Sequence, residues 1–186
     1  MTLHPDLSAL APEAAAAWVI DALGVDRPPV NVRDAASALG YGVSPLADLD
    51  DDVSGVFVSK GAGGAIGFNR GHARVRQRFT IAHELGHALM HRGRMPLFID
   101  KGYGVAFRDA RSSSGEVRME REANAFAAAL LMPEAMVREA ASELNWAHGF
   151  DVGGGGGALK ALAQRFRVSQ EAMSYRLAKL GVFLEP

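Results

Sequence analysis

His83-Glu84-Leu85-Gly86-His87 is an H-E-x-x-H sequence. On a helix, residues four apart share a face, so both imidazoles can reach one ion. Glu84 sits beside the first histidine. It can reach a water on that ion without being a ligand itself. Zinc lowers the pKa of such a water, and a carboxylate can take its proton as it attacks a carbonyl. The pattern therefore suits hydrolysis with Zn2+ as cofactor, His83 and His87 as ligands and Glu84 as general base.

A catalytic zinc needs a third protein ligand and one open position. The chain has no cysteine, which excludes disulfides, iron–sulfur clusters and thiolate zinc sites. His4, His72, His91 and His148 are scattered along the sequence. The acids of the next long helical pattern are better placed. It reads Met119-Glu120-Arg121-Glu122-Ala123-Asn124-Ala125-Phe126-Ala127. Glu120 and Glu122 are both candidates. Glu120 shares a face with Asn124, which can hydrogen-bond a ligand histidine from behind. Glu122 aligns instead with Phe126 and Ala129. Tyr103 and His91 are available as donors in the transition state, and nothing in the sequence ranks them.

The elements that must position these groups follow from periodicity and punctuation. Residues 12–23 read as a helix with Pro12 near its start and Gly24 at its end. Val32–Leu39 reads as a second helix, with Asp34 in the first turn, where the helix dipole favours an acid. Tyr41–Ser44 suits a short strand. Asp48, Asp50, Asp51 and Asp52 suit a loop. Val53–Ser59 and Ala65–Asn69 read as a hairpin around a glycine-rich turn. Thr80 is expected to cap a helix running to about His91. Its residues Ile81, Leu85, Ala88 and Leu89 form an apolar stripe, which should leave the histidine face toward a cleft. Residues 93–115 are expected to be an irregular loop, with a strand fragment near Val105–Phe107. Glu116–Met132 is the longest helical pattern. Pro133 should open a further helix, Glu134–Leu144.

The chain has 186 residues, 48% of them hydrophobic and 22% charged. That is enough for one core, with a small appendage. The net charge is −1, so bulk attraction to nucleic acid or anionic lipid is not expected. No apolar run approaches the roughly 18 residues a membrane-spanning helix needs. The N-terminus has no basic region followed by an apolar run. A cytoplasmic location away from membranes is the expectation.

At the motif and downstream of it, the chain resembles the ImmA/IrrE family of zinc metallopeptidases. Arg76-Gln77-Arg78-Phe79-Thr80-Ile81-Ala82-His83-Glu84-Leu85-Gly86-His87 resembles the family's signature. Glu120-Arg121-Glu122-Ala123-Asn124-Ala125-Phe126-Ala127, continuing to Leu131-Met132-Pro133, resembles its second block. Gly67-Phe68-Asn69 and Ser54-Gly55 also fit. The resemblance spans about residues 12–180. It implies an α+β, zincin-like fold, with a small sheet packed on the motif helix and on a second ligand-bearing helix. It places the third ligand thirteen residues before the closing proline, which from Pro133 gives Glu120. It further implies an endopeptidase that cleaves a helix-turn-helix repressor, with roles in transcription regulation and stress response. The alternative is a DNA-binding or repressor-binding regulator whose zinc site cuts nothing.

The organisation expected is a metallopeptidase domain over 1–150, a glycine-rich linker over 151–158 and a helix-turn-helix-like tail over 159–186. In the tail, Leu159–Phe166 and Gln170–Leu180 suit two helices joined tightly at Val168-Ser169. One reading has the second helix contact DNA through Arg176 and Lys179. The other is a pair that only packs, or positions substrate. The chain's near-neutral charge favours the second.

Overall fold

The computed structural model describes residues 6–91, 97–100, 114–147 and 156–182. The architecture is α+β. Helix α1 is Pro12–Ala22 and α2 is Val32–Ala38. Pro12 occupies the first turn of α1, where no backbone donor is lost. Asn31 caps α2, its Oδ1 accepting from the Arg33 amide at 3.2 Å. Strands β1 (Tyr41–Leu46), β2 (Gly55–Lys60) and β3 (Gly63–Asn69) follow, then α3 (Arg74–Met90), β4 (Leu97–Asp100), α4 (Ser114–Leu131), α5 (Glu134–Ala147), α6 (Gly156–Phe166) and α7 (Gln170–Leu180).

The four strands form one sheet in the order β1-β3-β2-β4. β3 pairs parallel with β1 and antiparallel with β2, and β2 pairs antiparallel with β4. Helix α3 packs against β2 and β3 on one side and against α4 on the other. That sandwich is what positions the motif. Phe57, Ile66 and Phe68 of the sheet, Ile81, Leu85 and Leu89 of α3, and Phe126 and Leu130 of α4 belong to one buried cluster.

Three expectations need correction. Thr80 does not cap α3. The helix begins two turns earlier, at Arg74, and Thr80 is buried in its interior. Arg74–Arg78 contains no glycine or proline, and arginine and glutamine are good helix formers, so nothing stops the helix there. Nor is the histidine face of α3, expected to look toward a cleft, open to solvent. Every residue from Thr80 to Met90 is buried, the histidines included, because α4 covers the face that an isolated amphipathic helix would show to solvent. Finally, Leu97–Asp100 is a strand, not loop. Four residues are too few for a periodic signal, and its pairing with β2 is what defines it. Tyr103 and the fragment near Val105–Phe107 lie outside the described residues, as do His4 and His148.

Helix α6 begins at Gly156, so the last glycines of the run fall in its first turn. Leu162, Phe166, Met173 and Leu177 join the same core as the rest of the chain. Arg176 is buried, and its Nε donates to the Met132 carbonyl at 2.9 Å. Lys179 of α7 pairs with Glu13 of α1. Arg78 of α3 donates to the Arg167 carbonyl at 3.2 Å. Ser169 caps α7, its Oγ accepting from the Ala172 amide at 3.1 Å. Among the described residues, no helix is long and apolar enough to cross a membrane.

Candidate metal centre

His83 and His87 project from successive turns of α3 toward α4. Their Nε2 atoms are 3.0 Å apart. Glu120 of α4 faces both. Its carboxylate oxygens lie 3.4 Å from His83 Nε2 and 3.3 Å from His87 Nε2. One ligand atom from each of the three residues falls within 4.8 Å of the others. Glu122 lies elsewhere. One of its oxygens is 3.0 Å from His91 Nε2, and the other accepts from Arg118 Nε at 2.7 Å. Of the two glutamates open from sequence, the structure thus brings Glu120 to the histidine pair and Glu122 to their neighbour.

Asn124, one turn beyond Glu120, has its Oδ1 2.8 Å from His83 Nδ1. A carbonyl oxygen only accepts, so the His83 proton is fixed on Nδ1 and the Nε2 lone pair is left for a cation. His87 is placed comparably. Its Nδ1 is 3.0 Å from His91 Nδ1.

Electrostatics agree with a cation site. Burial pushes the His87 imidazole down to about 4, more than the adjacent Glu120 can offset. The ring is therefore neutral at pH 7, as a ligand must be. Burial alone would raise the Glu120 carboxyl, but the two histidines outweigh it and hold the group down at about 2. The centre thus presents the neutral His87 ring, the His83 Nε2 and an ionised carboxylate to one point. A donor set of two histidines and one carboxylate, with a position left over, suits a divalent metal, and it is one of the sets found at catalytic zinc. The residues fit the group that the motif implies.

Glu84 sits where α3 meets the start of β2. It is fully buried, and its Oε1 would stand 2.9 Å from a Cβ built on Gly55 at the start of β2. The carboxylate therefore lies under the first residue of β2, one residue from His83. Two glycines that sequence reasoning did not connect to the site thus shape it. Gly55 makes room for Glu84, and Gly86 lets α3 meet α4, where a Cβ would stand 3.3 Å from the Ala123 Cα. The signal for Gly86 was present, since an interior helix glycine costs about 1 kcal/mol relative to alanine and calls for a packing reason.

The family model for Peptidase_M78, the IrrE N-terminal-like domain, matches residues 39–178. The chain belongs to this family. The match covers the sheet, the histidine helix, the Glu120 helix and most of α7, so the IrrE-like unit includes every element of the centre. No curated protein matches the chain. The fold is similar to that of a Mycobacterium tuberculosis transcriptional regulator, with a TM-score of 0.59 and 19% identity. The alignment covers 90% of this chain and 46% of that one, so this IrrE-like chain spans less than half of the longer protein.

Proposed function

We propose that the chain is a zinc-dependent endopeptidase of the ImmA/IrrE type that cleaves a helix-turn-helix transcriptional repressor and so derepresses genes. The observation that carries this reading is the convergence of His83, His87 and Glu120 on one point, with Glu84 buried beside them on the same helix as the histidines. The two histidines and Glu120 would hold Zn2+. A bound zinc supplies Lewis-acid activation of the attacking water and of the scissile carbonyl. Glu84 accepts the proton that the water loses and returns it to the departing amide nitrogen, so that one carboxylate serves as base and then as acid. Asn124 holds the His83 ring in the tautomer that offers Nε2. The sandwich of α3 between the sheet and α4 supports a zincin-like assignment, since both ligand helices meet beside a sheet.

The helix-turn-helix outline of α6 and α7 supports packing or substrate positioning over DNA reading. Of the two cations expected to meet phosphates, Arg176 is buried on a backbone carbonyl and Lys179 is paired with Glu13. A cytoplasmic protein substrate fits this picture better than a direct DNA target.

The test is co-expression with the helix-turn-helix repressor encoded nearest the chain's own gene. Cleavage by the wild type and none by Glu84→Gln, at equal zinc content, is the expected result. A second reading, a regulator with a non-proteolytic zinc site, draws some support from the similar fold of a transcriptional regulator. It predicts that Glu84→Gln still derepresses the target genes, with the repressor intact in both strains.

A further inference from the structure

Behind His87 a second row of side chains continues to the surface, away from Glu120. His87 Nδ1 lies 3.0 Å from His91 Nδ1, His91 Nε2 lies 3.0 Å from Glu122 Oε2, and Glu122 Oε1 accepts from Arg118 Nε at 2.7 Å. His91 is buried, whereas Arg118 is largely exposed. The proton positions along this row follow from chemistry. An ionised Glu122, paired with Arg118, can only accept. The bond from His91 must therefore be Nε2–H donating to Glu122. With its Nε2–H given to Glu122, His91 offers the Nδ1 lone pair, and the 3.0 Å contact is then made by His87 Nδ1–H donating to it. That leaves the His87 Nε2 lone pair directed toward His83 and Glu120.

We propose that His91 and Glu122 are positioning residues that fix His87 in the tautomer needed to ligate a metal through Nε2. The proposal deepens the metal-site reading and rests on it. It also gives each ligand histidine its own acceptor: Asn124 behind His83, and the His91–Glu122 pair behind His87. A histidine at this place with a purely structural role would fill volume equally well with another ring. Hydrogen-bonded partners of this kind change metal affinity by about 10- to 100-fold when removed.

Three variants separate the possibilities. His91→Phe keeps an aromatic ring and removes both nitrogens. His91→Asn restores an acceptor at the Nδ1 position. Glu122→Met removes the final acceptor at the partly exposed end of the row, where the core is not disturbed. Zinc affinity is read by chelator competition, and the His87 tautomer by nitrogen-15 spectra of the metal-free protein. The expected result is about 10- to 100-fold weaker zinc binding in His91→Phe, partial recovery in His91→Asn and a smaller loss in Glu122→Met. His87 should be in the Nδ1–H form in the wild type and a mixture in Glu122→Met. Affinities within about twofold of wild type in both His91→Phe and Glu122→Met, with the tautomer unchanged, would overturn the proposal. If His91→Phe fails to fold, Glu122→Met and its spectrum decide. If the wild type binds no zinc, the metal-site reading fails instead, and the tautomer of the metal-free protein still judges the row.

Discussion

Gly86 of α3 lies so close to Phe126 of α4 that a Cβ on it would stand 3.0 Å from the phenyl Cδ1. Phe126 is fully buried and has little room to turn. The contact sits nearly two turns of α4 beyond Glu120, so the spacing between the helices also sets how far the carboxylate must reach. Gly86→Ala should show two opposed effects. Helix propensity favours alanine by about 1 kcal/mol, and the crowding costs a similar amount. Urea denaturation of the metal-free protein should therefore change by no more than about 1 kcal/mol. Zinc affinity should fall by about tenfold, as α4 moves back by a few tenths of an ångström. Unchanged affinity would mean that Glu120 reaches the centre independently of this contact.

Gly55 makes the matching contact on the other flank. A Cβ there would stand 2.4 Å from Thr80 Cγ2, 2.9 Å from Glu84 Oε1 and 3.2 Å from the Gly67 carbonyl. Gly55→Ala should destabilise the protein by about 1–3 kcal/mol and displace the Glu84 carboxylate. The metal ligands are not touched, so zinc content should stay at the wild-type level while peptide cleavage falls. Adding Thr80→Ser removes the worst clash and leaves the one with Glu84. The double variant should regain much of the stability but not the cleavage rate. Full recovery of both would show that Glu84 does not depend on this gap.

How much of this was legible in the sequence depends on the range of the interaction. The His83–His87 pair was, because four residues on a helix decide it. So was the Glu120–Asn124 face, for the same reason. The distinction between Glu120 and Glu122 was open on spacing alone, since it depends on which side of α4 meets α3. The helix start at Arg74 was missed because Thr80 has a good capping side chain, although the helix formers of Arg74–Arg78 leave nothing to stop the helix before it. The partners of Gly55 and Gly86 are distant in sequence, although a glycine inside a helix already points to a packing reason. For His91 the four-residue step from His87 was legible, and the contact with Glu122 was not. Strand β4 is defined by its partner and not by its own four residues.

The metal-free centre should be sensitive to acid. Burial depresses His87 to about 4, below the ordinary imidazole value of 6.5. Between those values the unfolded chain binds a proton that the folded chain does not, so stability falls as pH drops from about 6.5 toward 4. Glu120, held at about 2 against an ordinary 4.5, adds a further loss below pH 4.5. Both act in the same direction. Urea denaturation of the metal-free protein should show lower stability at about pH 5 than at about pH 7.5, and His87→Gln should flatten that difference. Bound zinc should raise stability most at the higher pH, because protons compete for the same nitrogens. A metal-free protein equally stable at both pH values would contradict the buried, neutral state of His87.

Helix α7 turns its functional-looking cation inward. Arg176 lies buried with its Nε on the Met132 carbonyl at 2.9 Å, while the neighbouring Tyr175 is 72% exposed. A buried charged donor on a backbone carbonyl is worth about 1.5–3 kcal/mol, and the carbonyl left behind would lose its partner. Arg176→Met should therefore destabilise the whole chain by about that amount in a single transition, because Met173 and Leu177 share the main core. Tyr175→Ala should stay within about 0.5 kcal/mol of wild type. The same geometry bears on nucleic acid. Most DNA affinity comes from cations that neutralise phosphates, and Lys179 is paired with Glu13. Fluorescence anisotropy with mixed-sequence and native upstream DNA at about 0.15 M salt should show only weak binding that disappears as salt rises. Tyr175→Ala should leave that weak binding unchanged. Nanomolar, sequence-selective binding lost in Tyr175→Ala would instead make the exposed face of α7 a DNA reader and favour the regulator over the peptidase.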